Sequence, residues 1–490
     1  MAISFDAIPI LRTPGAYVEF NSDRAQQGPS VQDYTALIMG QKTAAGTAGA
    51  LEFLSITNDQ DPVTYFGAGS VLAQMCLAFR QANKTTRMVA VAMADDAAGV
   101  AATGSITLGG SPTAAGTLAV WIGGKRVRVS VASAQTPAAI ATALAAAIGA
   151  DTSLAVTAAV DGTDTAKVNV TAKNKGEAAN ELDVRVNYYS DERLPAGLTA
   201  TVVAMSGGTG NPDVTTLIAA MADRSFNIAA APWLDAANRA LFKTEMARRW
   251  GPLVSLDGHI FAAKNAAFAD LTTLGETPND PHLSIAEANK YPSAPWEVAA
   301  CLAGVAAYYA QIDPARPLQT LPLTGILAPA ESDRFTREER DLLLYSGIAT
   351  QTVDASGVVR VERAITTYRT SAAGATDTAY LDLETLLTLS YLRFDYRNLW
   401  LRKYPRHKLA NDGTRYGAGQ AVMTPKLAKA ETIAWFRTME SLGLVEGVSQ
   451  FKEDLIIERN VTDPNRLDVK LSPDLVNQLR VFAAQIQFLL

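Results

Sequence analysis

Apolar positions recur along this chain with two periods, and the places where the period switches divide it. Residues 35–39 and 87–93 are short, almost continuously apolar runs of the kind shown by a strand buried on both faces. Between them Leu72, Met75, Cys76 and Phe79 fall at helical spacing, with Ser70 placed as a cap. The pattern predicts strand, helix, strand: the opening of an α/β unit. After residue 205 the alternation returns as a helix begun by Asp213, a strand over 226–231, a helix begun by Asp235, a strand over 259–263 and a helix over 296–310. Thr336 and Glu339 fit a capping box ahead of Leu342, Leu343 and Leu344, and a hairpin turns at 354–357.

The stretch 97–205 has a different texture. Strand-like runs over 118–122 and 125–131 flank Gly123-Gly124, and Val127, Val129 and Val131 alternate with polar neighbours. A helix capped by Thr136 with Pro137 in its first turn follows, and further hairpins turn at Asp161-Gly162 and end near Gly207-Gly208. Towards the C-terminus a long helix is predicted over 382–403, another starts at Thr424-Pro425, and strands run over 455–459 and 466–471. The last run is unusual. Phe482, Ala484, Ile486, Phe488 and Leu490 would share one face of a strand, and the chain stops on two leucines, an end that something should cover. The first thirty residues hold Pro9, Pro14, Gly15, Gly28 and Pro29 around one extended piece that includes Tyr17, Val18, Glu19 and Phe20, which reads as an arm. The fold class expected is mixed α/β (α+β) and multidomain. It comprises an arm over 1–30, a split α/β core over 31–96 plus 206–380, a β-rich insertion over 97–205, an α+β domain over 381–478 and an arm strand over 479–490.

Composition narrows the function more than the fold. With 490 residues the chain has length for about three domains, each with its own core. A formal charge of -6 gives no global attraction for nucleic acid or an anionic membrane. The uncharged stretches 97–124 and 129–150 are rich in Gly, Ser, Thr, Pro and Ala, so no membrane insertion is expected. The N-terminus lacks a basic stretch, apolar core and cleavage site in sequence, which points to folding in a cytoplasm. Cys76 and Cys301 are the two cysteines and have no metal or redox spacing. His259, His282 and His407 form no paired metal motif. Gly67-Ala68-Gly69-Ser70 opens a helix as a phosphate loop does, but lacks the third glycine of a dinucleotide motif and any Gly-Lys-Ser/Thr; a cap with close packing explains it equally well. No catalytic residue, cofactor or metal is expected, and an α/β nucleotide-binding protein or enzyme is the alternative reading. From Arg393 to Arg415 seven basic residues stand against two acidic ones, a local +5. They include Arg393, Arg397, Arg402, Lys403, Arg406 and Lys408. A solvated face, a protein-binding face and, through Tyr396, Trp400 and Tyr404, a nucleic-acid face are the readings open.

Specific strings then add to the periodicity: PGAYVEF from Pro14, FGAGSVLAQM from Phe66, NDPHLSI from Asn279, DPARPLQTLPLTGILAP from Asp313 and RFTREERDLLLYSGIAT from Arg334. VERAITTY from Val361, YLDLETLLTLSYLR from Tyr380, KYPRHKLANDGTRYGAGQAVMTP from Lys403 and GLVEG from Gly443 follow in order. On these the chain resembles the tail sheath proteins of contractile-tailed bacteriophages, most closely those of Mu-like phages, over about 1–94 and 206–490. The resemblance implies a structural, non-enzymatic subunit that stacks as rings, six-fold, into a helical sleeve around a tail tube. The sleeve contracts to drive the tube through the host envelope and deliver the genome. The sheath of a related contractile injection particle would read the same way. Partners implied are other copies of the chain, the tube protein, and baseplate and terminator proteins, with no nucleic acid; the place implied is the virion tail, after assembly in the host cytoplasm. The resemblance makes the insertion an outer domain and 381–478 the tube-facing one. It assigns inter-subunit strand addition to Tyr17, Val18, Glu19 and Phe20 and to Val481, Phe482, Ala484, Ile486, Phe488 and Leu490. The basic residues Arg393, Arg397, Arg402, Lys403, Arg406 and Lys408 become candidates for facing the tube.

Overall fold

The structure, a computed structural model, describes residues 32–417 and 419–489. A nine-stranded sheet forms its centre, in the spatial order Pro322–Leu327, Val358–Arg363, Ile348–Val353, Leu283–Glu287, His259–Lys264, Ile228–Ala230, Thr35–Gln41, Arg87–Met93, Phe53–Ile56. From Ile348–Val353 to Arg87–Met93 the strands run parallel, and both edges are closed by antiparallel strands. The apolar runs lack a clean alternation because both faces are covered. Ala36, Ile38, Ala90 and Ala92 point into one core with the helices Val71–Ala82 and Pro295–Ile312. Leu37, Met39, Val89 and Val91 point into the other, with Leu217, Phe242, Met246 and Leu271 from the helices Thr215–Met221, Ala236–Trp250 and Phe268–Glu276.

The helix signals in the sequence act as expected in most places. Ser70 Oγ accepts from the Ala73 amide at 3.2 Å, Asp235 from Asn238 at 3.0 Å and Thr424 from Leu427 at 3.3 Å. Thr336 and Glu339 form the reciprocal box. Asp213 differs: its carboxylate accepts from both the amide and the hydroxyl of Thr215, and the helix starts two residues later than the expected cap. The helices Val71–Ala82 and Pro295–Ile312 approach closely at Gly304, where a Cβ would lie 3.0 Å from the Phe79 carbonyl oxygen.

The insertion contains a four-stranded antiparallel sheet in the order Leu198–Ser206, Ala101–Gly110, Lys167–Lys175, Val156–Val160. A second sheet has the order Lys125–Val131, Gly116–Ile122, Val184–Val186, and the helix Pro137–Ala150 packs beside them. Its interior is continuous with one core of the α/β unit: Ile106, Leu118, Leu144 and Val168 belong to the same buried cluster as Leu72, Phe79 and Leu302. The C-terminal domain has a core of its own. Leu392, from the helix Leu383–Lys403, joins Trp435, Phe436 and Met439 from the helix Pro425–Ser441, together with Leu444, Val445, Phe451 and Leu455. The hairpin Ile456–Arg459 with Leu467–Lys470 completes it.

Candidate assembly surface

After that hairpin the tail is tied to the subunit step by step. The short strand Asp474–Leu475 pairs antiparallel with Val445–Glu446, and the Val476 amide donates to the Leu444 carbonyl at 3.2 Å. Gln478 Nε2 donates to the Ala315 carbonyl at 3.5 Å, and Arg480 Nη2 reaches Asp382 at 3.1 Å and Glu384 at 2.7 Å. Beyond Arg480 the pattern changes. Val481, Phe482, Ile486, Phe488 and Leu489 are 80%, 85%, 88%, 77% and 101% exposed, and Ala484 is exposed too. Over 481–489 no strand forms within the single subunit. A strand needs a neighbour to accept its backbone hydrogen bonds, and within one subunit this run has none. An apolar stretch of this length in water is costly, on the order of 1.5 to 3 kcal/mol for each large side chain that could be buried and is not. Tyr17, Val18, Glu19, Phe20 and Leu490 lie outside the described residues. Gln32, the first described residue, lines a groove of about 260 Å³ with Tyr34, Ile312, Tyr391 and Leu444, close to the path of the tail.

The basic segment divides into two parts. Arg393 does not share a surface with the others. Its guanidinium lies 4.2 Å over the Trp250 ring, donates to the Trp250 carbonyl at 2.7 Å and grips Asp257 with Nε and Nη2. Arg393 therefore faces the α/β core, a correction with a plain cause: a planar cation with an aromatic face and a carboxylate within reach is better satisfied there than in water. The candidates further along are exposed: Arg397, Arg402, Lys403, Arg406 and Lys408. Lys403 pairs with Glu431 at 2.6 Å, and Lys408 donates to Gln420 at 2.9 Å. The interleaved aromatics turn inward as a ladder, Tyr396 4.7 Å from Trp435 and 6.0 Å from Trp400, and Trp400 5.4 Å from Tyr404. Tyr396 also meets the Thr432 hydroxyl at 3.0 Å. This packing answers the spacing that had also suggested base stacking.

The glycine segment 67–70 is a docking site for the insertion. A Cβ at Gly69 would lie 2.1 Å from the Leu154 carbonyl oxygen, and Lys173 Nζ donates to the carbonyls of Ala68 and Thr152 at 3.2 and 2.7 Å. Amides that a phosphate would need are already engaged, that of Val71 with Asn174 Oδ1 at 3.1 Å and that of Ala73 with Ser70. The strand order reverses between Thr35–Gln41 and Ile228–Ala230, where open α/β sheets take ligands. Here Gln41 Nε2 donates to Asp95 and to the Lys175 carbonyl, both at 2.7 Å, and Asn174 Nδ2 donates to the Lys42 carbonyl at 2.9 Å. The insertion thus fills the crevice.

A polar cavity of about 350 Å³ opens at the ends of Leu283–Glu287 and Ile348–Val353, lined by Glu287, Tyr291, Arg334 and Arg340 among others. Glu287 accepts from the Asn289 amide and the Tyr291 hydroxyl, each at 3.2 Å, and burial pushes its carboxyl up to about 7. Burial also pushes the His282 imidazole down to about 4 and the Cys301 thiol up to about 12, so both are neutral and buried at neutral pH. Among the described residues no three His, Cys, Asp or Glu side chains gather as a metal-holding group, and no helix is long and apolar enough to cross a membrane.

Comparison with known proteins agrees with this architecture. Residues 207–367 match the phage tail sheath protein central domain, and residues 375–489 match the phage tail sheath C-terminal domain. The chain is 41% identical over 491 residues to the Mu-like prophage FluMu tail sheath protein of Haemophilus influenzae, with 100% of both chains covered. That likeness spans the insertion as well, which the motifs alone did not. Among solved structures, the sheath tail protein of Desulfitobacterium hafniense is similar with a TM-score of 0.50 and 13% identity, over 95% of this chain and 97% of that one. The sheath complex of an extracellular contractile injection system, PVC, in its contracted state gives 0.49 at 10% identity over 98% of each chain. With two sheath domains matched across more than half its length and a full-length relative at this identity, the chain belongs to the phage tail sheath protein family.

Proposed function

We propose that this chain is the structural subunit of a contractile tail sheath, polymerising as stacked rings around a tail tube and contracting to drive that tube through the host envelope. The observation that carries the assembly mechanism is the tail: fixed to its own subunit as far as Arg480, then exposed and apolar to the end of the described residues. In the assembled sleeve the segment from Val481 onward adds as a strand to a neighbouring copy, with Phe482, Ala484, Ile486, Phe488 and Leu490 on one face, and the N-terminal residues Tyr17, Val18, Glu19 and Phe20 add in the same way. Each main-chain hydrogen bond made this way contributes roughly 1 kcal/mol net, and each large apolar side chain about 1.5 to 3 kcal/mol. Such links are strong enough to persist while the weaker polar contacts between subunit bodies exchange. Contraction then releases free energy stored as the difference between two packings, with no nucleotide hydrolysed. The exposed cations Arg397, Arg402, Lys403, Arg406 and Lys408 face the tube through screened contacts that release readily. Assembly takes place in the host cytoplasm, with baseplate and terminator proteins at the two ends of the sleeve.

Deleting residues 481–490 tests this reading. The truncated subunit is expected to keep the parental circular dichroism and unfolding midpoint, since the side chains over 481–489 are exposed, yet to give no sleeves or rings by negative-stain electron microscopy. Normal sleeves from the truncation would overturn the arm mechanism.

A further inference from the structure

Arg480 stands at the boundary between the tied and the exposed parts of the tail, and its surroundings are unusual. Its side chain is 14% exposed and its Nη2 bridges two carboxylates. Glu384 is fully buried, and its other oxygen accepts from the Leu318 amide at 2.9 Å. Asp382 also takes Arg363 in a two-point grip at 2.9 and 3.0 Å. Two cations and two anions thus join three parts of the subunit: the edge-region strand Val358–Arg363, the start of the helix Leu383–Lys403 and the tail. Arg480 Nε and Nη1 are buried without a hydrogen-bond partner. A guanidinium has five N–H donors, and leaving some unpaired offsets part of what the pair contributes. The arrangement holds the residue in one place while falling short of a fully satisfied core ion pair.

We propose that Arg480 is the clasp that fixes where the C-terminal arm leaves the subunit, a positioning residue for the capture of a second copy of this chain. The proposal rests on the arm reading above. With the exit point fixed, the ten residues 481–490 can span about 33 Å as a strand. A fixed origin limits the volume the arm searches and raises its effective concentration at the one neighbour it can reach. Because the clasp includes Arg363 and the helix start, tension on the arm in the assembled sleeve acts where the α/β core meets the C-terminal domain, away from the small Asp474–Leu475 pairing.

The test separates the clasp from simple stability. Arg480→Met alone is expected to lower the unfolding midpoint, because Glu384 is left buried without its cation. Adding Glu384→Gln removes that charge and is expected to restore the midpoint; Asp382 stays intact because it also holds Arg363. In the double variant, amide exchange over 476–480 in the free subunit is expected to quicken by about tenfold or more, and sleeve yield to fall several-fold. Arg480→Lys, which keeps the charge but lacks the fork, should give an intermediate loss and serves if the double variant fails to fold. Unchanged exchange, or parental sleeve yield from the folded variants, overturns the clasp. The 481–490 deletion is run alongside: sleeves from it would sink the arm reading, while exchange over 476–480 reports on the clasp without any assembly.

Discussion

Glu287 ends an inner strand and lines a polar cavity of about 350 Å³, with its carboxyl pushed up to about 7 by burial. Unfolded, it titrates near 4.3. Because the folded value is the higher one, its contribution to stability is present in full below about pH 4.3 and is lost as pH rises through about 7. A Glu287→Gln variant has no charge to bury, so its stability relative to the parent should improve across that interval by on the order of 3 kcal/mol and level off above it. Thermal unfolding of both proteins at pH 4.5, 6 and 8 checks this, and parallel curves would show that Glu287 titrates normally. Arg393 and Arg480 show what single residues conceal in a sequence. Both were legible as cations, but the partners that decide their roles, Asp257 with Trp250 and Asp382 with Glu384, lie 136 to 143 and 96 to 98 positions away. Local charge counting grouped Arg393 with the other cations of the basic segment because the segment's own sequence contains no hint of Asp257.

At the scale of elements, those with local punctuation were readable. The helices opened by Ser70, Thr136, Asp235, Thr336 and Thr424 and the hairpins at Gly123-Gly124 and 354–357 form where the sequence places them. Elements whose existence depends on a distant partner were not. Leu283–Glu287 holds a serine and a glutamate, and Pro322–Leu327 begins with proline and contains glycine, yet both are strands because neighbours in the sheet complete them. The helix Val448–Asp454 starts from a left-handed Gly447 and has no side-chain cap to announce it. Gly69 illustrates the same limit for a site: its phosphate-loop appearance was legible, whereas its occupation by Thr152, Leu154 and Lys173 of the insertion was not. Gly69→Ala would combine a φ of +76° with a 2.1 Å approach to the Leu154 carbonyl oxygen. A loss of about 2 to 4 kcal/mol is expected in chemical denaturation. Gly207→Ala, at a φ of +78° with open space around it, should cost only about 1 kcal/mol. Equal losses at the two sites would mean that docking of the insertion adds nothing.

For the whole molecule, the tube-facing role proposed for the exposed cations predicts a salt-dependent attraction between subunit and tube. Charge reversal by Arg397→Glu with Arg406→Glu leaves the aromatic ladder untouched and should weaken binding to tubes several-fold at low salt, with a smaller dependence on salt than the parent shows. Co-sedimentation with tubes at two ionic strengths measures it, and unchanged binding would remove that face from the interface.

The helix Leu383–Lys403 has a mechanical consequence. Leu383 and Leu387 sit in the core shared by the α/β unit and the insertion, Arg393 grips the α/β unit from the side, and Leu392, Tyr396 and Leu399 belong to the core of the C-terminal domain. A 21-residue helix, about 31 Å long, therefore runs as a shaft from one hydrophobic core into the next. Turning one domain against the other would mean breaking that shaft or stripping apolar side chains out of a core. The subunit should accordingly pass torque through its body without flexing; on the arm mechanism proposed above, the length change of a sleeve would then be taken up by the slender connections between copies, each ring turning as a set of rigid gears on pliant strings.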